Sequence, residues 1–453
     1  MMTRMLFNPV LLMGLATSMF VSQVPGQDTP LEVTPLRTLS SDEFCNRCTG
    51  TLLPGKVVPH DATRWGIISD LPETFEGHGV LYSTRPILPP NGAPTPMLEQ
   101  RRGAGFKTID DGFDLFLFHL NKATTGSQRL VVYVRNLDTQ PVTLRPLQVI
   151  KTEGIIGNIH DFESDLGARV LGQDWDRPYE TVQIPAGEGR VVAYGKNFGA
   201  GVTNGPDSSR NVNCFGYVRA TIENRQTSSS LEVSVISIPA GERAQIEEEA
   251  TRLADAGVIS TDIVSLDSAP VECALGRAVG VYPNFRWESD NVVMDIARLD
   301  EGGTSFPMSL PAIQTPGCED ARQTHDLVLY PGYTRPDTIG NYMIEHLVTL
   351  TLINSAPQAR QADVVFGKTD ADIGLAYTAE ITAAGQSAPA TTGDRVKTKW
   401  AGPKQATMEK SLLENPVALN PGETKTVHLR LMVLGNSSLP FQLGVKSANT
   451  KAD

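Results

Sequence analysis

Apolar and polar residues alternate in short runs along the chain, and the clearest run lies between residues 340 and 354. Its apolar positions share one face and its threonines share the other: Val348, Leu350 and Leu352 against Thr349 and Thr351. A period of two is typical of a half-buried β-strand. The pattern therefore predicts a turn followed by a long strand, which ends where Asn354 begins an Asn-Ser-Ala-Pro sequence.

The same alternation predicts further strands, at residues 77–84, 113–120, 129–135, 231–238, 276–282 and 426–434. The run 113–120 is apolar on both faces, which is typical of a strand covered on both sides. Glycine and proline, at 40 and 31 residues, supply many turns. Helical spacing is convincing at one place only, and its apolar positions are Ile246, Ala250, Leu253 and Ala254. We therefore predict a mainly β protein with one amphipathic helix that Gly257 ends.

A weak internal repeat divides the chain into two halves. An alternating strand ends at Asn136 and another ends at Asn354, and we expect a hairpin partner after each. Later in each half a Pro/Gly/Glu turn precedes a strand, at residues 185–188 and 421–423. Immunoglobulin-like sandwiches use such turns at strand entrances. We predict an N-terminal β-sandwich-like domain over residues 27–256, a linker over 257–270 and a C-terminal β-sandwich-like domain over 271–453.

The N-terminus has the pattern of a secretory signal peptide. Arg4 precedes an apolar run over residues 5–21, and small residues follow before Gly26. We expect a signal peptide over residues 1–26 with cleavage near Gly26 and Gln27. The run is short and interrupted for a membrane span, and no second stretch of about twenty apolar residues follows. The sequence thus predicts export to the periplasm, the cell surface or the medium, with no transmembrane segment after cleavage.

Five cysteines fit an oxidising compartment: Cys45, Cys48, Cys214, Cys273 and Cys318. Our preferred disulfides are Cys45–Cys48 and Cys273–Cys318, which leave Cys214 free, and Cys48–Cys214 stays open as an alternative. A thioredoxin-type site would need a helix directly after the second cysteine of the pair. The sequence continues with Thr49 and Gly50 instead, so a structural disulfide is favoured.

Charge and motifs exclude several functions. The formal charge is -12 and no basic stripe is present, so nucleic acid is not an expected partner. The sequence contains no Gly-x-Ser-x-Gly elbow, phosphate loop, dinucleotide fingerprint or His-Glu-x-x-His motif. We assign no catalytic residue and no cofactor. His119 and His346 fall in predicted strands, where a hydrogen-bonded structural histidine is the usual outcome.

Two patterns leave room for ionic or carbohydrate chemistry. The weak metal candidates Asp161, Glu163 and Asp165 fall in a predicted loop, where carboxylates suit calcium but a solvated acidic loop is the competing interpretation. Carboxylates over residues 161–176 would serve glycan hydrolysis if two stood about 5 to 9 Å apart. Five aromatic residues are candidates either for a sugar platform or for the core: Trp175, Tyr179, Tyr282, Trp287 and Trp400.

Four segments, in this order, resemble a known family: residues 77–84 (GHGVLYST), 113–123 (FDLFLFHLNKA), 276–281 with Phe285-Arg286-Trp287, and 340–354. The family comprises secreted, mainly cyanobacterial proteins catalogued as domain of unknown function number three-three-seven-zero. The resemblance implies a secretion route and a β-rich build, but no reaction. The cysteines lie outside these segments, which favours a structural disulfide specific to this lineage over a redox site.

The sequence therefore favours a non-catalytic cell-envelope protein with a structural or ligand-binding role. An envelope glycan or an envelope protein would be the partner. One alternative is a carbohydrate-active hydrolase that uses dispersed carboxylates. Another is a periplasmic assembly factor or chaperone, which would offer an open strand edge to a partner strand.

Overall fold

The structure is a computed structural model. It describes residues 32–34, 38–39, 50–51, 53–70, 74–75, 77–85, 100–102, 109–121, 128–154, 159–176, 180–195, 212–224, 230–258, 260, 278–299, 303–308, 323–331, 338, 341–367, 373–386, 396–401, 410–435 and 441–448. Strands make up 59% and helices 11% of the described residues, which confirms the prediction of a mainly β protein.

The elements in the first part of the chain are β1 (Thr38–Leu39), β2 (Gly50–Thr51), β3 (Gly55–Pro59), β4 (Arg64–Ser69), β5 (Thr74–Phe75), β6 (Gly79–Ser83), β7 (Gln100–Arg102), β8 (Gly112–Asn121), β9 (Gln128–Asn136), β10 (Val142–Gly154), α1 (Ile159–Gly172), β11 (Val182–Ile184), β12 (Gly189–Tyr194), β13 (Val212–Ile222), β14 (Leu231–Pro239) and α2 (Arg243–Asp255).

The elements in the second part are β15 (Val279–Pro283), β16 (Phe285–Asp295), a 3-10 turn (Ile296–Arg298), β17 (Thr304–Met308), β18 (Leu329–Pro331), β19 (Glu345–Ile353), β20 (Arg360–Gly367), β21 (Ile373–Ala383), β22 (Lys397–Ala401), β23 (Lys410–Ser411), β24 (Val417–Leu419), β25 (Thr424–Val433) and β26 (Phe441–Ser447).

Two sheets enclose the first hydrophobic core, which we call the N-terminal core. One sheet has the order β12-β9-β14-β6, and the other runs β11-β10-β13-β8-β4-β15-β18-β7, with β5 on β8. Val132 and Val233 of the first sheet pack in one cluster with Leu115 and Leu144 of the second. Alternation in these strands directs one side chain in two into this cluster.

A second pair of sheets encloses what we call the C-terminal core. One has the order β22-β21-β25-β19-β16-β3, and the other runs β17-β26-β20-β23, with β24 also on β20. The predicted strand over residues 340–354 forms β19, and its apolar face lies in this core with Leu350 and Leu352 fully buried. Val364 and Leu443 face them from the other sheet.

Two helices are present among the described residues, whereas the sequence analysis predicted one. The predicted helix is α2, whose Ile246, Ala250 and Leu253 are buried against the four-stranded sheet. The second, α1, occupies a stretch that we expected to be an irregular loop, so that prediction was wrong. Leu166 and Val170 lie one turn apart and are both buried, which provides the apolar face that this helix needs.

The internal repeat is visible as two matching corners, each built around a buried asparagine. The side-chain amide of Asn136 donates to Gln140 O at 2.7 Å and to Ile184 O at 3.2 Å. The amide of Asn354 donates to Gln358 O at 2.8 Å and to Leu419 O at 3.0 Å. Each amide therefore ties a strand end to the residue that closes another strand.

The Pro/Gly/Glu turns complete the same two corners. Gly187 N donates to Asn136 O at 3.0 Å, and Gly422 N donates to Asn354 O at 2.8 Å. Both glycines have positive φ angles, 73° and 75°. A glycine adopts this conformation without the steric penalty that a side chain would meet. The two Pro/Gly/Glu turns therefore have the same structural role, which is to bind the backbone of the corner asparagine.

The predicted hairpins after Asn136 and Asn354 were wrong. β10 does not pair with β9 but with β11 and β13 in the other sheet, and β20 likewise pairs with β24 and β26. The chain crosses from one sheet to the other at each corner. The buried asparagine amide supports the crossing, because it donates to carbonyl groups of the segments that meet in the corner.

Strands from early and late parts of the chain share sheets. Gly66 of β4 pairs with Tyr282 of β15, and Val58 of β3 pairs with Arg286 of β16. Residues 33–453 accordingly form one compact unit. The domain limits 27–256 and 271–453 and the immunoglobulin-like detail stay predictions, since most of the linker 257–270 lies outside the described residues.

Several further predictions fall outside the described residues, namely the signal peptide 1–26 and four cysteines, Cys45, Cys48, Cys273 and Cys318. Cys214 is described, buried and free, so the alternative pair Cys48–Cys214 is not formed. Within the described ranges no helix is both long and apolar enough to cross a membrane.

Candidate functional site

A group of charged side chains that is buried at its centre lies where the two cores meet, and Asp114 is at that centre. Asp114 belongs to β8 and is 3% exposed. Arg219 stands directly opposite on β13 and binds it with two nitrogens, at 2.7 Å and 3.1 Å. Asn284, between β15 and β16, donates its amide to the same carboxylate at 2.9 Å. A buried carboxylate needs such partners because an unpaired charge is strongly disfavoured in the interior.

Aromatic rings and a second arginine surround this pair. Arg64 Nε lies 3.5 Å from Asp114 Oδ2. The guanidinium of Arg219 lies 5.2 Å from the ring centre of Trp175, which is a cation–π distance. Burial disfavours the charge of Arg219, yet Tyr217 and Asp114 beside it raise the pKa of the guanidinium above its usual value.

Glu345 and Arg430 continue the cluster on the side of the C-terminal core. The carboxylate of Glu345 pairs with Arg430, whose second nitrogen donates to Leu171 O at the end of α1 at 3.0 Å. His60 Nε2 lies 3.8 Å from Glu345, and burial lowers the pKa of this imidazole. We call the set Asp61, Arg64, Asp114, Arg219, Asn284, His60, Arg286, Glu288, Glu345 and Arg430 the junction cluster.

The charges of the junction cluster balance one another. Four arginines stand against four carboxylates, and each carboxylate contacts at least one arginine. Burial raises the pKa of the neighbouring Tyr217 and Tyr282, so both phenols stay protonated. Perturbed titration can mark an active site, but an ion-pair network gives the same signature. The geometry here favours a network that joins the cores.

Helix α1 is fixed beside the junction cluster by a tryptophan from the C-terminal core. Trp400 of β22 donates its indole N–H to Ser164 Oγ at 2.8 Å and to His160 O at 3.1 Å. The rings of Trp400 and His160 lie 3.8 Å apart. A Cβ at Gly167 would overlap the end of the Leu434 side chain and lie 3.1 Å from the Cβ of Ala376 in β21, so glycine allows close packing of the helix here.

An open groove of about 570 Å³ lies in the C-terminal core, between β21 and the segment over residues 412–418. Its apolar lining includes Ile381, which is 45% exposed, together with Leu412 and Leu413. Lys397 and Glu414 form an ion pair at its rim, 2.5 Å apart, which lowers the pKa of the Glu414 carboxyl. The groove thus offers a mixed polar and apolar surface with charged side chains at its edge.

The metal candidates do not come together. Asp161 and Asp165 lie one turn apart on the exposed face of α1, whereas Glu163 is 1% exposed on another face. The predicted acidic loop is a helix, and the spacing of a helix separates residue 163 from its neighbours at 161 and 165. Among the described residues no group of three or more potential metal ligands is present.

The carboxylates and aromatics considered for glycan chemistry have structural surroundings. Asp174 and Asp176 both pair with Arg169, at 3.4 Å and 2.7 Å. Tyr282 and Trp287 are buried, Trp175 and Trp400 are half-buried beside α1, and Tyr179 lies outside the described residues.

The two strand histidines are buried and hydrogen-bonded, as predicted. His119 Nε2 lies 2.9 Å from Ser69 Oγ, and His346 contacts Asn341 and Ile344. The junction cluster was not predicted from the sequence. One signal was available: Asp114 is the only charged residue in a strand predicted to be covered on both faces, so it requires a buried partner.

No family model matches this chain, and no curated protein matches it. The resemblance to the secreted family therefore stays a hypothesis.

Proposed function

We propose that the protein is an exported, non-catalytic component of the cell envelope with a structural or ligand-binding role. The export part of this proposal rests on the sequence of residues 1–26. The resemblance to the secreted cyanobacterial family agrees with the mainly β build.

The junction cluster is the observation that carries the proposal. Its carboxylates are paired with its own arginines. Asp114 is bound by Arg219 and Asn284, and Glu345 is bound by Arg430. Groups that are already paired and buried hold two cores together but are not poised to exchange protons with a substrate. This supports a rigid scaffold over an enzyme.

The groove beside Ile381 supports the ligand-binding part of the proposal. An envelope glycan or an envelope protein segment would contact the apolar lining and the Lys397–Glu414 pair at the rim. The rival function, a glycan hydrolase, would have to use carboxylates such as Glu414 in this groove. The hydrogen bond and charge of Lys397 lower the pKa of the Glu414 carboxyl, which disfavours the protonated form that a general acid needs.

The test is a binding and turnover assay on the mature protein, residues 27–453. It is incubated with purified peptidoglycan, envelope polysaccharide and envelope protein extract, and both retention and released fragments are measured. We expect retention without fragments, and at least a tenfold loss of retention in Ile381→Asp. Lys56→Ala, an exposed lysine on β3, is the matched control and should bind as the wild type does. Release of glycan fragments that Glu414→Gln abolishes would refute the proposal in favour of the hydrolase.

We also propose the disulfides Cys45–Cys48 and Cys273–Cys318, in keeping with an exported chain. Peptide mass spectrometry without reduction, on protein isolated from the periplasm, should find both links and a free Cys214. Any link to Cys214 would contradict the assignment.

A further inference from the structure

The turn that leads into β19 has an unusual backbone. Asn341 and Met343 have φ angles of 47° and 60°, and their exposed fractions are 0% and 4%. Most residues other than glycine disfavour this left-handed region by about 1–2 kcal/mol, which applies to Met343, while asparagine tolerates it better. Two such residues so close together persist only where surrounding contacts hold them.

Hydrogen bonds of the Asn341 side chain supply this hold. Its amide nitrogen donates to Gln323 O at 2.7 Å and lies 3.5 Å from His346 Nε2. Its oxygen accepts from Thr338 Oγ1 at 3.0 Å. We call Gln323, Thr338, Asn341 and His346 the latch. All four are buried.

The latch requires a neutral His346. The Nδ1 atom lies 3.2 Å from Ile344 O, and a carbonyl only accepts, so the imidazole proton is on Nδ1. Nε2 is then the acceptor for the second N–H of Asn341. Asn341 cannot exchange its oxygen and nitrogen positions, because Gln323 O also needs a donor. A second proton on His346 would therefore place an N–H on Nε2, where it would face an N–H of Asn341 with no acceptor between them.

The latch also joins the two cores. Gln323 Nε2 donates to Pro307 O in β17 at 3.4 Å, at the end of the C-terminal core. Further along the same segment, Val328 N donates to Val281 O at 2.7 Å, and β18 pairs with β15 in the nine-stranded sheet. The residues around Gln323 thus bridge from one core to the other.

The neighbours of His346 on each packed element set its titration. Glu345 precedes it on β19 but turns to Arg430 of β25 and to His60 after β3. On β16 the Trp287 ring lies 6.2 Å away, and on β25 the paired residue is Leu431. His325, beside Thr338, stacks on Phe285 at 5.2 Å and contacts Asp326 O. Burial outweighs the opposing effects of Ile344 O and Glu345, and lowers the pKa of His346 to about 4.

We propose that the latch is an acid-sensitive connection between the two cores, which opens when His346 takes up a proton and loses its contact with Asn341. Above pH 6.5 both the closed and the open latch carry neutral His346, and the connection is at full strength. As the pH falls from 6.5 to about 4, only the open form binds the proton, so opening rises about tenfold per pH unit. Between pH 6.5 and about pH 4 the opening of the latch therefore increases about 300-fold. Below pH 4 it does not increase further.

Amide hydrogen exchange followed by mass spectrometry, between pH 7 and pH 4, tests the proposal on the mature protein. Labelling times are corrected for the intrinsic pH dependence of exchange. We expect peptides over residues 323–331 and 341–348 to lose up to about 300-fold in protection as the pH falls. Peptides over residues 128–136, in β9, should keep theirs. Equal behaviour of latch and β9 peptides would overturn the proposal.

Three variants assign the effect to one histidine. His346→Gln keeps a neutral acceptor near Asn341, and its latch peptides should show less than about a twofold change with pH. His428→Gln, on β25 with contacts to Thr382 and Gln386, is the matched control and should retain the wild-type response. His325→Gln should retain it as well. If His325→Gln removed the pH response and His346→Gln did not, the assignment to His346 would be wrong. Where a variant does not fold, the wild-type comparison of latch and β9 peptides still tests the proposal.

Discussion

The repeat comprises β8 to β13 in its first copy and β17, β19, β20, β24, β25 and β26 in its second, so β8 and β17 hold the same place. β8 lies inside its sheet, whereas β17 lies at an edge. The pairing of the strands shows this equivalence. β8 pairs with β13, where Asp114 is opposite Arg219, and β17 pairs with β26, where Ser305 is opposite Gly444. In the first copy four further strands extend the sheet beyond β8. A buried position of this kind carries a paired charge, whereas the edge position carries an exposed serine.

The two copies also differ in what they insert at one point. Helix α1 lies between β10 and β11 of the first copy, and β21, β22 and β23 lie between the equivalent strands β20 and β24 of the second. The insertions meet, because Trp400 of β22 donates to Ser164 of α1. A repeated unit thus supplies the two cores, and its unequal additions supply the contact between them.

The copies finally protect their strand edges differently. β25 is covered along its length by β21, but the equivalent strand β12 ends its sheet. There the Glu247 carboxylate of α2 accepts from Val191 N at 2.9 Å, and Gln148 accepts from Tyr194 N at 3.3 Å. Side chains occupy donors that would otherwise be open to a foreign strand.

The largest expected difference between the copies is at the pair Asp114 and Ser305. Asp114→Ala should lower the free energy of unfolding by about 3–5 kcal/mol, because it leaves Arg219 buried without its partner. Ser305→Ala, the matched control, should change it by less than about 0.5 kcal/mol. Urea unfolding measures both. Similar losses in the two variants would contradict the contrast between interior and edge.

The asparagine corners should be alike. Asn136→Ala and Asn354→Ala each remove a buried amide that donates to at least two carbonyls, so each should cost about 2–3 kcal/mol. Asn136→Ala should be the more damaging by up to about 1 kcal/mol, since its amide also reaches Pro185 O at 3.3 Å. Thermal and urea unfolding provide the comparison. A tolerated change at one corner alone would break the equivalence.

The turn glycines test the repeat through the backbone only. A Cβ at Gly187 or Gly422 would meet nothing within 4 Å, and both φ angles are positive. Gly187→Ala and Gly422→Ala should therefore each cost about 1–2 kcal/mol, through strain alone. Values that differ by more than about 1 kcal/mol would show that the two turns are not equivalent.

The smallest effect on stability is expected at the protected edge. Glu247→Ala should cost about 1 kcal/mol for the lost acceptor of Val191 N. It should also increase self-association at high protein concentration, measured by light scattering after size exclusion. Glu248→Ala, exposed on the same helix, is the control and should stay as the wild type. A strictly monomeric Glu247→Ala would argue against edge protection.

Local patterns in the sequence identified many elements but not their partners. Alternation at Val348 and Leu350 located β19, and helical spacing at Ile246 and Ala250 located α2, because one face of each element is buried. Helix α1 was missed since its first turns carry Asp161, Glu163 and Asp165, which obscure the short apolar face at Leu166 and Val170. The repeat was visible because its corners depend on asparagine, glycine and proline.

The junction cluster could not be located in the same way. Arg219 lies opposite Asp114 only because β13 pairs with β8, and Asn284 arrives from a segment far along the chain. Pairing between distant strands leaves no local period in the sequence. A lone charge such as Asp114 in an apolar strand predicts that a partner exists, but not which residue it is.

The position of β4 has a consequence for the order of folding. This early strand lies between β8 and β15, so one of its edges stays unpaired until Val279–Pro283 is available. Such distant pairing is slow, and an incomplete chain exposes a strand edge that invites aggregation. A chain made from its N-terminus therefore completes its first core only when β15 and β18 have been made, and the strands β19 to β26 of the C-terminal core follow them.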